Sequence, residues 1–131
     1  MKKGVGRITK DVGAFVTAHE QRSADFLARL GYDVNFIAPE RSPGSKTADM
    51  RMDGDVWELK CPTGNSSRTI ENILRDGAKQ ARNVVLDLRR TRRSDAQCIA
   101  EARGRLKHVK SLRKIFVITK TSDLVRLGRR A

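Results

Sequence analysis

The segment 47–61, TADMRMDGDVWELKC, decides how the rest of the chain is read. Asp53-Gly54 stands between two short runs in which apolar and polar residues alternate, and Asp-Gly in that setting is a strong signal for a two-residue hairpin turn. If Asp53 and Gly54 are the central turn residues, Met52 pairs with Asp55, Arg51 with Val56, Met50 with Trp57 and Asp49 with Glu58. Side chains alternate along a strand, so Glu58 and Lys60 share one face while Trp57, Leu59 and Cys61 point to the other. Asp49 and Glu58 then stand opposite each other with Cβ atoms about 4.5–5.5 Å apart, where like charges repel. A divalent cation, a shared proton or neutralisation by Lys60 and nearby arginines would offset that repulsion.

Working outward, 11–30 has a helical pattern with Ala24, Leu27 and Leu30 on one stripe and Gly31 placed to end it. Glu20 falls on that stripe, three, four and seven residues before Ser23, Ala24 and Leu27, so its carboxylate is expected to point toward the body of the protein. Residues 32–38 read as a strand and 39–46 as a loop. After the hairpin, Asn65, Ser66 and Ser67 are N-cap candidates for a helix over 65–82 that would carry Gln80. Val84 to Leu88 is an apolar run of strand length, expected to be covered on both faces. It contains Asp87, a buried carboxylate that needs a partner. Ser94 and Gln97 form a capping-box pattern ahead of a helix running to about Lys110. Ile115–Thr119 reads as a buried strand and Leu124–Leu127 as a short edge strand.

These elements predict one α/β (α+β) domain over 1–131, with a mixed central sheet of about five to six strands flanked by three helices and a basic tail over 1–10. The 131 residues suffice for a core without metal or disulfide staples. The two cysteines, Cys61 and Cys98, form no CxxC or Cys/His cluster, so neither zinc nor a disulfide framework is indicated. The N-terminal stretch has charge but no apolar run behind it, and nothing approaches bilayer length, so a cytoplasmic chain without a membrane partner is expected.

Twenty-eight Lys and Arg against 15 Asp and Glu leave a net charge of +13, the footprint expected of a protein whose partner is built of phosphates. Arg82, Arg89, Arg90, Arg92 and Arg93 are the candidate phosphate contacts. His19 and His108 have no complementary pattern around them, which disfavours a paired-histidine ribonuclease mechanism.

Asp49 followed by Glu58-Leu59-Lys60, with a helical Glu20 before and a helix bearing Gln80 after, resembles the PD-(D/E)XK nuclease arrangement. There the acidic pair binds metal and the lysine assists the water. The resemblance implies catalytic roles for Asp49, Glu58, Lys60, Glu20 and Gln80, with Asp49 and Glu58 holding Mg2+ or another divalent cation. Ala48 departs from the pattern, which often has proline there.

A longer stretch, TADMRMDGDVWELKCPTGNSSRTIENILRDGAKQARNVVLDLR, looks like the C-terminal nuclease domains of bacterial contact-dependent growth inhibition (CdiA) toxins, which act on transfer RNA. This implies a tRNA-cleaving ribonuclease with an immunity protein as partner, delivered into neighbouring cells. Some toxins of that group are placed in the barnase, EndoU, colicin and RelE fold and cut RNA without metal. On that alternative no cofactor is needed, and weight shifts to Lys60, Ser67, Thr69, Gln80 and Arg82. Two competing functions remain open at this point: a non-catalytic nucleic-acid-binding module, and a DNA endonuclease of a mobile element. Oligomeric state is not readable.

Overall fold

In the computed structural model, which describes residues 4–40, 47–64 and 69–128, Asp53 and Gly54 take φ values of 55° and 79°. Both lie in the left-handed region that a tight two-residue hairpin turn demands, and only glycine enters it without steric cost. The turn joins β3 (Met50–Met52) to β4 (Asp55–Lys60) in the anticipated register, with Met52 opposite Asp55, Arg51 opposite Val56 and Met50 opposite Trp57.

The remaining elements are β1 (Ile8–Lys10), α1 (Ala18–Arg29), β2 (Val34–Phe36), α2 (Thr69–Gly77), β5 (Asn83–Asp87), α3 (Asp95–His108), β6 (Lys114–Ile118) and β7 (Leu124–Gly128). The seven strands form one sheet in chain order from β1 to β7. The β1–β2, β4–β5 and β5–β6 pairs are parallel, with α1, α2 and α3 as the intervening connections; the other pairs are antiparallel. This is the expected mixed sheet with three helices, with one strand more than the five to six anticipated.

The extra strand comes from the expected basic tail. Ile8–Lys10 pairs with Val34–Phe36, and Ile8 packs against the core, so one apolar residue in a charged stretch is enough to seat a short edge strand.

A sheet covered on both sides needs two cores, and the period-2 alternation sorts residues between them. Trp57, Leu59, Val85 and Phe116 meet Ala24, Phe26 and Leu27 of α1 on one face. Val84, Leu86, Leu88, Ile115 and Val117 meet Ile70 and Leu74 of α2 and Cys98, Ala102 and Leu106 of α3 on the other. Trp57 is fully buried, with its indole N–H donating to Met52 O at 2.8 Å, so its one polar atom is satisfied inside the core. No helix among the described residues is long and apolar enough to cross a membrane.

Two helices differ from the sequence expectation at their ends. α1 begins at Ala18 rather than near Asp11, because Thr17 and Glu20 form a complete capping box. The Thr17 hydroxyl accepts from Glu20 N at 3.2 Å, and Glu20 Oε1 accepts from Thr17 N at 2.9 Å. α2 ends at Gly77 rather than continuing to residue 82, so Gln80 lies beyond the helix in a turn where its N–H donates to Gly77 O. The N-cap candidates Asn65, Ser66 and Ser67 lie outside the described residues. α3 starts as expected, with Ser94 accepting from Gln97 N at 3.2 Å.

Candidate functional site

The β3–β4 ladder stops one pair short of Asp49 and Glu58. Asp49 N donates to Trp57 O rather than continuing the regular register, and the next N–H of β4, that of Leu59, donates to Asp49 Oδ2 at 2.7 Å. The carboxylate thus takes the place of a backbone acceptor, which pins Asp49 beside β4. The direct Asp49–Glu58 strand pair expected from the turn is not formed, yet the two carboxyls are within hydrogen-bonding reach of each other.

Glu58 is only 3% exposed. Its Oε2 is paired with Lys60 Nζ at 3.1 Å, while its buried Oε1 has no hydrogen-bond donor among the described residues. α2 passes directly over this pair, since a Cβ added to Gly77 would lie 3.6 Å from Glu58 Cγ and 3.8 Å from Lys60 Cε.

Burial pushes the Glu58 carboxyl up to about 7, with the Asp49 charge acting in the same direction and Lys60 opposing both. Asp49 is also raised, by burial first, against the pull of the Leu59 N–H and with the Glu20 charge adding to the rise. Two acids in one dry corner cannot both ionise cheaply, and one amine compensates for only part of the cost. An unpaired acceptor there is satisfied by a shared proton or by a cation.

Glu20 stands at the mouth. It lines a cavity of about 80 Å³ together with Asp49, Phe15, Phe36 and Ile37. Phe15, on the rim, is 83% exposed. Oε1 of Glu20 also serves the cap of α1.

Among the described residues no group of three His, Cys, Asp or Glu side chains is gathered at metal-binding separation. The donor set nevertheless fits an ion of the magnesium type, which binds through one or two carboxylates and takes the rest of its shell from water and substrate. Among the described residues Glu58 Oε1 has no hydrogen-bond partner, and Asp49, with one oxygen on Leu59 N, stands beside it.

The other candidate residues are dispersed. Gln80 follows α2 in its turn, and no side-chain hydrogen bond joins it to the acids among the described residues. Arg82 precedes the amino end of β5, whereas Arg89 follows its carboxyl end, so the two are separated by the length of a strand. Arg93 is tied to Glu101 by two bonds of 2.5 and 2.6 Å, and its side chain is 9% exposed; it is a structural anchor of α3 rather than a free phosphate contact. Arg89 is committed to Asp87. Arg90 and Arg92 are exposed. Thr69 opens α2, and Ser67 lies outside the described residues.

Sequence reasoning missed a second polar cluster on the other face of the sheet. Asp87 is buried and accepts from Ser23 Oγ at 2.6 Å and from Arg89 Nε and Nη2 at 3.0 and 2.8 Å. Burial raises this carboxyl, but the bonds from Arg89 and Ser23 prevail and hold it below the ordinary value. His19, Arg22 and Cys61 gather around it. The sequence flags Asp87 itself as a buried carboxylate in need of a partner; the signal for its partners is the spacing of His19, Arg22 and Ser23 on α1, three and four residues apart and hence on one helix face.

With the geometry in view, the chain can be compared with known proteins. The family model described as "Contact-dependent growth inhibition CdiA C-terminal domain" matches residues 46–124, the span from the hairpin to the start of β7. No curated protein matches the chain. Among solved structures, a chain of the "CdiA-CT/CdiI toxin and immunity complex from Burkholderia pseudomallei" is similar, with a TM-score of 0.72 at 23% identity over 95% of this chain and 100% of that one. At that identity the likeness is one of fold. The family match, however, covers more than half of the sequence, and by it the chain belongs to the contact-dependent growth inhibition CdiA C-terminal domain family.

Proposed function

We propose that this domain is a toxic endonuclease that hydrolyses phosphodiester bonds of transfer RNA, with Asp49, Glu58 and Lys60 at its centre. The observation that carries the reading is the buried Oε1 of Glu58, which has no partner among the described residues, set beside Asp49 and with Lys60 3.1 Å from its other oxygen. A fold does not leave a carboxylate oxygen orphaned in its interior without cost. In a chain of net charge +13, a phosphate-bearing ligand is the natural occupant of the neighbouring space.

Asp49 and Glu58 are the residues that would hold a divalent cation, which when bound acidifies water and neutralises phosphate charge. The protein's own residues supply the rest. Lys60 lies beside the acids and donates to a phosphoryl oxygen as negative charge builds on it. Glu58, pushed up to about 7, gives up its proton before Oε1 can take the cation, so the site forms as pH rises through neutrality. Glu20, at the mouth, orients what enters. Gln80, outside the acid cluster, has at most a supporting part through the turn after α2.

The family and the toxin–immunity neighbour support two further elements of the proposal: a cognate immunity protein as partner, and delivery into neighbouring cells for action in their cytoplasm.

The test is incubation of the chain with total transfer RNA and with plasmid DNA, each with magnesium and with chelator, alongside Glu58→Gln and Lys60→Ala. Cutting of transfer RNA that magnesium supports and both substitutions abolish is the expected result. Cutting of plasmid alone would make the chain a DNA endonuclease, and no cutting of either would leave a binding module.

A further inference from the structure

The cluster around Asp87 is a cavity of its own, about 260 Å³, lined by His19, Arg22, Cys61, Asp87, Arg89 and Arg90. Its charge is lopsided, with one carboxylate facing three guanidiniums. That carboxylate is already spent, because Asp87 is buried and takes bonds from both Ser23 and Arg89.

The same bonds fix Arg89. Its Nη2 also donates to Arg22 O at 3.3 Å, and its guanidinium lies 5.3 Å from the Phe26 ring centroid, so one wall of the cavity is a guanidinium held from several sides, with no bond from Nη1 among the described residues. Arg22 and Arg90 are both exposed, and among the described residues neither is ion-paired with a carboxylate. Arg22 Nη1 lies 3.4 Å from His19 Nδ1, a contact that orients the guanidinium without bringing a negative charge to it.

The cavity also adjoins the acid site. His19 and Glu20 are consecutive on α1, and Lys60 and Cys61 are consecutive at the end of β4; in each pair one residue belongs to the acid site and the other to this cavity. The Glu20 charge reaches both Asp49 and Cys61. Glu58 and Lys60 lie in the carboxyl half of β4 and Asp87 is the last residue of the parallel β5, so both clusters lie toward the carboxyl ends of neighbouring parallel strands, the side on which open α/β sheets bind their ligands.

We infer that this cavity is a phosphate subsite, in which Arg22 and Arg90, backed by the fixed Arg89, grip a backbone phosphate of the nucleic acid one or a few nucleotides from the bond placed at Asp49 and Glu58. The inference rests on the nuclease reading and adds to it a second anchor point that sets where along the strand the acids act.

The test uses the full chain carrying Glu58→Gln, so that total transfer RNA is bound and not cut, and measures affinity as a function of salt concentration. In this background Arg22→Gln/Arg90→Gln is compared with Arg103→Gln/Lys107→Gln, an equal loss of charge on the exposed face of α3. The expected result is a salt slope lower by about 0.7 or more for the pocket variant, the value for one lost phosphate contact, with the α3 variant close to the parent. In the cutting-competent chain the pocket variant should raise KM and shift the cleavage pattern. Equal slopes for the two variants, or no change in either, would overturn the subsite while cutting by the parent chain keeps the nuclease reading intact. A parent chain that neither cuts nor binds would bring down both. All four substituted side chains are exposed, so thermal melting is expected to match across variants.

Discussion

Two buried carboxylates stand near the ends of adjacent parallel strands, on opposite faces of one sheet, and their environments drive them in opposite directions. Asp87 on β5 has a hydroxyl and a forked guanidinium on its oxygens and is held ionised below the ordinary range. Glu58 on β4 has one amine, a second acid and, among the described residues, no donor to Oε1, and is pushed up to about 7. Burial raises both, so burial does not separate them. Completeness of the hydrogen-bond shell does: a carboxylate whose acceptors are filled is part of the scaffold, and one left with an unfilled acceptor is poised for a ligand or a proton.

The sharpest way to break this comparison is to exchange the groups for neutral isosteres. Glu58→Gln should lower the rate of cutting by about 10²–10³-fold, the range for loss of one group that supports charge stabilisation at the reacting centre. Its stability at pH 8 should hold or rise, because a strained buried charge is removed. An unstable Glu58→Gln would make Glu58 a scaffold residue like Asp87.

Arg89→Ala does the reverse. It strands Asp87 without its main partner and should cost about 3 kcal/mol in urea unfolding, within the range for breaking a buried pair. Asp87→Asn/Arg89→Ala should recover part of that loss. Full stability of the single variant would remove the distinction drawn here.

The pH dependence sharpens the comparison further. The folded pKa of Glu58 is raised from 4.5 to about 7, so its contribution is fully present below pH 4.5 and lost as pH rises through 7. The loss should be about 2 kcal/mol, allowing for the coupling to Asp49, and Glu58→Gln should flatten that part of the profile. Asp87 has the opposite sign. Its contribution is present above the unfolded value of 3.8 and lost as pH falls through its lowered folded value. Stability should therefore fall on both sides of mildly acidic pH, and cutting by the ionised Glu58 should rise through pH 7.

The smallest effect expected is that of Gly54→Ala. At φ 79° it should cost about 1 kcal/mol. It should also loosen the register that sets Asp49 beside Glu58, lowering cutting several-fold while leaving the Asp87 cluster unaffected.

How far the sequence reached depended on the range of the interaction involved. The Asp53-Gly54 turn is local, and it carried the register from Met52–Asp55 to Met50–Trp57 and the shared face of Glu58 and Lys60; Asp49 comes beside Glu58 although the ladder ends before it. Glu20 was placed correctly toward the acids from a helical stripe, although its capping bond to Thr17, also local and also legible, went unread. The misplacements arose where a distant residue intervened. Gln80 was assigned to a helix by apolar spacing, but Gly77 ends that helix as it crosses Glu58 and Lys60. Arg93 looked like one more cation in a basic run, and Glu101, eight residues on, claimed it. Ile8 looked like part of a tail until β2 offered it an edge.

Local chemistry by itself therefore determined the mixed sheet with three helices, the hairpin and the acid–acid–amine triad, because turn preference and side-chain alternation act over a few residues. Only the tertiary structure decided which charges are free. Whether a carboxylate is satisfied, as Asp87 is by Ser23 sixty-four residues away, or left short, as Glu58 is under α2, depends on partners brought in by packing. In a dry interior those partners set the sign of the pKa shift.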